Sequence, residues 1–392
     1  MIDSARRRVA SPPVRPLVLF DGDCHFCRRW IERWKEKTAG AVDYAAAQDA
    51  GARFPEIPAD AFERSVQLID PRGEVFSGAE AVFRALSYRE EGIAWLSFYH
   101  RVPVFAAIAE TAYRLVSTHR AAASTATRFL WGNDVRKPTY VVTRSWFLRA
   151  LALVYFIAFI SLWVQIDGLV GRNGILPVSQ FLSAAREQIG SAAPAALPTL
   201  CWLNSSDGFL HFLCGGGAAL SLLLFAEVAP VLVLTALFVF YLSLTIAGQT
   251  FLSFQWDILL LETGFLAIFF APFQWIPSRN RSVPVSRIGL FLLKLLLFKL
   301  MVMSAVVKLT SGDSSWWDLT ALNYHYETQP LPTVLAWWAH QGGRGMKAVS
   351  TLAMFFVELV VPVFIWAPRR LRVAAAVLLG SLQIAIAATG NY

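Results

Sequence analysis

Two cysteines, Cys24 and Cys27, stand three positions apart just after the apolar run Leu17–Phe20. Aromatic and apolar residues follow at helical spacing, so the pair is predicted to lie where a strand passes into an amphipathic helix. The N-terminus of a helix favours a thiolate, because its unpaired N–H groups carry partial positive charge. The arrangement predicts thiol–disulfide exchange, with Cys24 as the attacking thiolate and Cys27 as the resolving thiol. The redox group is the cysteine pair itself, so we expect no further cofactor.

Charged and titratable neighbours are expected to tune this pair. His25 would stabilise the Cys24 thiolate when protonated, whereas Asp21 and Asp23 would oppose it, because nearby negative charge raises the pKa of a thiol. Asp21 would also serve as a proton acceptor for Cys27 if it is buried behind that sulfur. These groups shift the pKa of the Cys24 thiol in opposite directions, and the sequence does not determine the net shift.

Two other kinds of site share parts of this pattern. A Cys-x-x-Cys supplies half of some zinc sites, but there is no second pair here, and His100 and His119 are remote in sequence. An apolar strand followed by Asp-x-Asp also resembles the nucleophile loop of haloacid-dehalogenase-type phosphatases. That chemistry needs a downstream lysine and an acidic metal-binding pair, which we cannot place in so small a domain. Disulfide exchange is therefore favoured over both.

The composition indicates a membrane protein. The chain has 392 residues, of which 56% are hydrophobic and 16% are charged, whereas soluble domains carry about 25% charged residues. The net charge of +8 comes from basic residues scattered over short loops and the flanks of apolar runs. Such scattering is typical of membrane proteins and argues against a nucleic-acid partner.

Residues 15–120 are predicted to form an α/β domain with a thioredoxin-like order of elements. The predicted strands and helices are, in order, strand 16–20, helix 24–37, strand 42–46, a hairpin of 65–70 with 75–76, and helices 79–86 and 103–116. Thioredoxins place a proline just before the hairpin, where this chain has Arg64 and Ser65.

A basic linker over 121–145 is predicted to lead into an all-α polytopic membrane helix bundle over 146–392. About seven apolar runs approach the roughly 20 residues that a bilayer requires. They lie near 147–165, 209–226, 228–248, 257–275, 288–310, 347–367 and 371–389.

The basic residues predict the orientation of these spans. If seven spans alternate, three basic groups fall on one side, which the positive-inside rule assigns to the cytoplasm. We therefore expect a multi-pass inner (cytoplasmic) membrane protein with a cytoplasmic N-terminal domain and outward segments near 166–208 and 311–346. The three groups are Arg136, Lys137, Arg144 and Arg149; Arg279, Arg281 and Arg287; and Arg369, Arg370 and Arg372.

Charged and polar residues inside the spans are predicted to form two clusters. Lys299 and Glu358 lie about 11 residues from the starts of the fifth and sixth spans, respectively, which places each at a depth of about 16 Å. An unpaired charge there costs at least about 3 kcal/mol, so we expect them to pair. Whether the clusters only join helices or line a substrate or proton cavity stays open. The midplane cluster is Lys299, Glu358 and Gln383, and the outer cluster is Asp257, Glu262, Lys308 and His325.

Two resemblances to known families add to this interpretation. The strand followed by Asp21-x-x-Cys24-x-x-Cys27 resembles the DCC family of thiol–disulfide oxidoreductases, over about residues 15–120 and including Tyr113–Arg114 and His119–Arg120. That resemblance implies a thioredoxin-like fold and a redox activity.

The polar strings at 165–177, 254–257 and 317–330 resemble the membrane region of lipase maturation factor proteins, from about Trp146 to the end. This second resemblance implies a role in the maturation of secreted lipases, through folding or assembly rather than through a known catalytic residue. The family pattern continues where this chain stops at Tyr392, so we expect a C-terminal truncation relative to the family.

Three functions follow from these observations. The first is a thiol–disulfide oxidoreductase in the bilayer that reacts with a cytoplasmic thiol reductant or a client protein, such as an exported lipase-like protein. The second is a non-enzymatic membrane chaperone or scaffold for secreted lipase folding. The third is a membrane enzyme acting on a lipid or a quinone-like molecule. Electron relay through Cys201 and Cys214 is not favoured, because nothing in the sequence brings them together.

Overall fold

The computed structural model describes residues 7–276 and 283–390. The chain divides into two compact units. The first unit is Met1–Pro138 with Val363–Ile384, and the second is Thr139–Pro362 with Ala385–Tyr392. Arg279 and Arg281, which the charge pattern places in a cytoplasmic loop, lie outside the described residues, as does Tyr392.

The first unit contains a four-stranded mixed sheet with the order β2-β1-β3-β4. Strand β1 (Leu17–Phe20) pairs in parallel with β2 (Asp43–Ala46) and antiparallel with β3 (Gln67–Ile69), which forms the predicted hairpin with β4 (Val75–Ser77). Gly73 takes a φ of 83° in the hairpin turn, a conformation that glycine adopts without steric cost. The predicted thioredoxin-like layout is confirmed.

Strand β1 is buried on both of its faces, to which its side chains point alternately. Val18 and Phe20 pack in one apolar cluster with Ile31 of the first helix. Leu17 and Leu19 pack in a second cluster on the opposite face. This two-sided burial explains why β1 reads as an uninterrupted apolar run.

Seven helices complete residues 7–138, four more than the three that the sequence pattern predicted. Helix α7 lies in the predicted basic linker, where its Trp131 packs edge-on against Trp30, with ring centroids 5.7 Å apart. The predicted linker thus contains a helix, which contacts α1 through these aromatic rings although it lacks a strong local signal in the sequence. The helices are α1 (His25–Thr38), α2 (Ala47–Ala50), α3 (Ala59–Arg64), α4 (Gly78–Ser87), α5 (Glu90–Arg101), α6 (Pro103–Thr118) and α7 (Arg120–Trp131).

All regular secondary structure among the described residues of the second unit is helical. Its helices are α8 (Val141–Trp163), α9 (Ile166–Val170), α10 (Val178–Ile189), α11 (Ala193–Ala196), α12 (Asp207–Phe225), α13 (Pro230–Gly248), α14 (Gln255–Phe270), α15 (Arg287–Thr310), α16 (Ser314–Trp317), α17 (Leu322–Thr328), α18 (Val334–His340) and α19 (Arg344–Phe355). A π-helical turn, Phe356–Val360, continues α19. The last helix, α20 (Arg369–Thr389), has most of its length in the first unit.

Six described helices are long and apolar enough to cross a membrane. Together with the composition they make this a multi-pass membrane protein. The six are Val141–Trp163, Asp207–Phe225, Pro230–Leu252, Arg287–Thr310, Arg344–Trp366 and Arg369–Thr389.

The fourth predicted span is the exception, because α14 has only 16 residues. Just after this helix the carbonyl oxygen of Trp275 accepts a 2.9 Å hydrogen bond from the Ala229 N–H, directly before α13 begins. Helix α14 therefore runs antiparallel to α13, beginning near the C-terminal end of α13 and ending near its N-terminal end.

Helices α8 and α12 approach each other closely at a run of three glycines. A Cβ atom on Gly217 would lie 2.3 Å from the Phe159 ring, and one on Gly215 would lie 2.8 Å from Trp163. The run of glycines therefore allows close packing of the two helices.

Candidate functional site

The cysteine pair lies where the sequence placed it, at the junction of β1 and α1. Cys24 is the residue that caps α1, and its Sγ accepts a 3.3 Å hydrogen bond from the Cys27 N–H. The sulfur of Cys24 thus lies at the positive end of the helix dipole, where a thiolate is stabilised. Both thiols are free in this structure.

The surroundings of Cys27 keep its thiol protonated. Burial, followed by the hydrogen bond with the Cys24 side chain and the charge of that side chain, raises the pKa of Cys27 from its ordinary value of 9.0 to about 12. The positive charge of Arg120 opposes this shift and the negative charge of Asp21 adds to it. Cys27 therefore becomes a nucleophile only when a base removes its proton.

Several side chains hold Asp21 in place. Its Oδ2 forms a 2.8 Å ion pair with Nη1 of Arg120. Its Oδ1 accepts a 3.1 Å hydrogen bond from Nε2 of Gln48, whose Oε1 in turn accepts from the Gly22 N–H at 2.9 Å. These bonds hold the loop before Cys24 in one conformation and place Asp21 beside the cavity that Cys27 lines.

Arg120 is a site residue to which the sequence assigned no role. It opens α7, 99 positions after its partner Asp21. Its guanidinium also donates to the carbonyl oxygens of Glu63 and Ser117, which fix its direction. The only signal in the sequence was that His119–Arg120 belongs to the stretch that resembles the DCC family, and spacing alone could not connect it with the sulfurs.

His25 occupies the first position of α1 and is exposed to solvent. Asp23 is also exposed and accepts a 3.3 Å hydrogen bond from Gln48. Among the residues that the structure describes, no group of three or more His, Cys, Asp or Glu side chains could hold a metal ion.

The predicted ion pairs between the spans are wrong in their partners. Lys308, not Lys299, pairs with Glu358, at 2.7 and 2.9 Å from its two carboxylate oxygens. Lys308 is in the last turn of α15, whereas Glu358 lies well along the helix that begins at Arg344. Helix α19 therefore begins beyond the end of α15, and equal residue counts from the two starts do not give equal depths.

Lys299 instead pairs with Glu262 of α14, at 2.9 Å. The sequence placed Glu262 near the outer end of a span over 257–275. Because α14 ends at Phe270, Glu262 lies at its middle, opposite the middle of α15.

The remaining members of the two predicted clusters are Asp257, His325 and Gln383. Asp257, a predicted member of the outer cluster, is buried and accepts a 2.6 Å hydrogen bond from the Tyr241 hydroxyl, whereas Lys308 of that cluster pairs with Glu358. His325 lies in α17, where burial and then the positive charge of Lys308 lower its pKa. Gln383 lies in α20 and belongs to the first unit, not to the unit that holds Lys299 and Glu358.

The two other cysteines, Cys201 and Cys214, are both buried among apolar helices of the second unit. Thiol chemistry that needs access to a partner is therefore concentrated at Cys24 and Cys27, which are both partly exposed.

Comparison with known proteins assigns each part of the chain to a family. The family model for the DCC1-like thiol-disulfide oxidoreductase matches residues 18–126, and the model for the lipase maturation factor transmembrane domain matches residues 142–392. No solved structure matches the chain.

Relatives of known name support the second assignment. Lipase maturation factor 2 of Gallus gallus is 43% identical over 272 residues, which cover 67% of this chain and 37% of the relative. Lipase maturation factor 2 of Homo sapiens is 41% identical over 271 residues, covering 64% of this chain and 37% of the relative. Lipase maturation factor 1 of Mus musculus is 37% identical over 262 residues, covering 64% of this chain and 45% of the relative.

The chain thus spans less than half the length of these curated relatives. The family model for the transmembrane domain nevertheless covers well over half of the chain, from residue 142 near the start of α8 to residue 392. With a DCC1-like domain at its N-terminus, this protein belongs to the lipase maturation factor family.

Proposed function

We propose that this protein is a membrane-anchored thiol–disulfide oxidoreductase that acts through Cys24 and Cys27 in the maturation of an exported lipase-like client. The observation that carries the proposal is the difference between the two thiols. Cys24 Sγ accepts a hydrogen bond from the Cys27 N–H at the start of α1. Burial, and then the Cys24 side chain, raise the pKa of Cys27 to about 12. Such a pair has an attacking sulfur and a resolving sulfur already distinguished by their positions.

The reaction consists of two exchanges. The Cys24 thiolate attacks one sulfur of a partner disulfide, forms a mixed disulfide and releases the other sulfur as a thiolate that takes up a proton. Cys27 then loses its proton and attacks Cys24 Sγ, forming the Cys24–Cys27 bond and releasing the second thiol. The cysteine pair is oxidised by two electrons and the partner is reduced by two; a cytoplasmic thiol reductant restores the dithiol, and the same steps run in reverse oxidise a client.

The experiment uses the full chain in detergent and bis(2-hydroxyethyl) disulfide as the oxidant. With wild type, mass spectrometry should find the Cys24–Cys27 disulfide. Cys27→Ser should accumulate one mercaptoethanol adduct at Cys24, because nothing resolves the mixed disulfide, and Cys24→Ser should accumulate far less. Cys201→Ala is the matched control, because it removes a buried thiol of the second unit and should leave both products unchanged. Equal adduct on Cys24→Ser and Cys27→Ser would contradict the proposal.

A scaffold without redox activity is the second candidate, and one observation favours it. The stretch that matches the lipase maturation factor model, residues 142–392, contains neither Cys24 nor Cys27. Co-expression with an exported lipase separates the two functions. The oxidoreductase proposal expects Cys24→Ser to lower secreted lipase activity, whereas a scaffold would support the same activity with or without the cysteine pair.

We also propose that the N-terminal domain of the first unit, up to Pro138, faces the cytoplasm of an inner-membrane protein. The basic residues that flank α8 and α20 support this orientation through the positive-inside rule. A membrane-impermeant maleimide should label Cys24 in inside-out vesicles and leave it unlabelled in intact cells. Labelling in intact cells would reverse the orientation.

A further inference from the structure

A cavity of about 420 Å³ lies beside the cysteine pair, bounded by helices α1, α4 and α6. Its volume falls within the roughly 300–1,000 Å³ range of pockets that hold small molecules, and most such pockets have apolar walls. Cys27 is part of its lining. An occupant of this cavity would therefore lie against the resolving sulfur.

The wall is built mainly from aromatic and aliphatic side chains. Phe26 and Trp30 come from α1, Phe83 from α4, and Val116 from α6. Such a wall offers dispersion contacts and the release of ordered water. It gives nothing in return for the hydration that a charged group would lose.

The charged groups and the tyrosine hydroxyl in the lining already have partners within the protein, whereas the buried Trp30 Nε1 has none. Asp21 and Arg120 are paired with each other at 2.8 Å. The Tyr113 hydroxyl accepts a 2.9 Å hydrogen bond from the Val66 N–H. Since these groups are engaged, they do not turn the cavity into a site for a polar or charged ligand.

We propose that this cavity holds a bulky apolar group attached to the sulfur that Cys24 attacks. This inference rests on the proposed thiol–disulfide exchange and names its substrate class as disulfides with an uncharged apolar substituent. The Cys24 thiolate breaks the substrate S–S bond and keeps the sulfur that carries the apolar group. The other sulfur leaves as a thiol. Cys27, in the wall beside that group, loses its proton, attacks Cys24 Sγ and releases the apolar thiol.

The test compares dibenzyl disulfide with bis(2-hydroxyethyl) disulfide, two dialkyl disulfides that differ in the apolar bulk next to sulfur. Ala109 lines the cavity from α6, so Ala109→Phe should fill part of it. Ala107→Phe places the same ring on the same helix at an exposed position outside the lining, and it is the matched control. We expect Ala109→Phe to slow formation of the Cys24–Cys27 disulfide by dibenzyl disulfide about tenfold, the equivalent of about 1.4 kcal/mol. Its rate with bis(2-hydroxyethyl) disulfide should match that of Ala107→Phe.

A second arm identifies the source of the apolar group. It uses a peptide disulfide whose cysteine is flanked by phenylalanine, against the same peptide with serine. If Ala109→Phe slows the reaction with dibenzyl disulfide selectively, the apolar group belongs to a small molecule. If it slows the reaction with the phenylalanine peptide selectively, the apolar group is a side chain of a client protein.

Two failures can be told apart. If Ala109→Phe slows neither apolar substrate relative to its polar counterpart, while the Cys24–Cys27 disulfide still forms, the cavity does not select the substrate. If wild type forms no Cys24–Cys27 disulfide with any of the four reagents, the oxidoreductase proposal itself fails.

Discussion

The ion pairs Asp21–Arg120 in the first unit and Lys308–Glu358 in the second have almost the same length, 2.8 and 2.7 Å, but lie in different surroundings. The first lies beside a sulfur whose ionisation both of its charges influence. The second joins α15 to the π-helical turn after α19, with Glu358 only 3% exposed. The same interaction therefore tunes reactivity where a thiol is its neighbour and stabilises helix packing where apolar side chains are.

The largest effect should come from removing one charge of the buried pair in the second unit. Lys308→Met leaves the Glu358 carboxylate buried without its cation, which typically costs about 3–5 kcal/mol. Chemical unfolding of the full chain in detergent measures this loss. Lys308→Met/Glu358→Met should be more stable than the single variant, because it removes both charges of the pair together. A single variant as stable as the double would show that the pair does not act as described.

A smaller loss is expected where the second unit depends on close packing rather than on charge. Gly217→Ala places a methyl group 2.3 Å from the Phe159 ring, so one of the two helices must shift. Such overpacking costs about 1–3 kcal/mol. Gly208→Ala is the control on the same helix, since no atom lies within 4 Å of its Cβ position. The free energies of unfolding of the two variants should differ, and equal values would argue against close contact of α8 and α12.

In the first unit, removing the charge of Arg120 and removing that of Asp21 should change the reactivity of Cys27 in opposite directions. Arg120→Met removes the charge that lowers the pKa of Cys27, and Asp21→Asn removes one that raises it. The rate of Cys27 alkylation at fixed pH should fall for Arg120→Met and rise for Asp21→Asn, by up to about tenfold, which corresponds to one pKa unit. A Cys24→Ser background keeps the partly exposed Cys24 from reacting. Shifts of the same sign would mean that the pair acts through structure rather than through charge.

The smallest effect should be the dependence of stability on alkaline pH. The folded state raises the pKa of Cys27 from 9.0 to about 12, so it holds this proton more tightly than the unfolded chain does. The resulting contribution to stability is complete below about pH 9 and is lost as the pH rises toward 12. Thermal unfolding of wild type and Cys27→Ala at pH 8 and pH 10 measures it. The advantage of wild type over the variant should shrink at pH 10, and a constant difference would contradict the raised pKa.

Sequence patterns predicted the first unit well where the signal was local. The uninterrupted apolar strand β1, the helix after Cys24 and the hairpin turn at Gly73 each depend on residues that are neighbours in the chain. Helix α7 was missed because its support comes from contacts such as Trp131 with Trp30. Arg120 was missed as a partner of Asp21 for the same reason.

In the second unit the sequence identified the charges but not their partners. Each charge in an apolar run implies a counter-charge, so Lys299, Lys308, Glu262 and Glu358 were all recognised. Their pairing depends on where each helix begins along the bundle, and the start of α19 and the short length of α14 are set by packing. Tyr241 as the partner of Asp257 gave no signal, because a tyrosine in an apolar run looks like any other aromatic residue.

Local patterns were enough to predict that a strand leads into a helix capped by one cysteine, with a second cysteine one turn further along, and that several apolar helices follow. These features depend on period, spacing and composition, which are properties of neighbouring residues. Three contacts became visible only in the folded chain: Arg120 meets Asp21, an apolar cavity adjoins Cys27, and Lys308 rather than Lys299 meets Glu358. Each of these contacts joins residues from separate elements, and their positions follow from the packing of whole helices rather than from any local pattern.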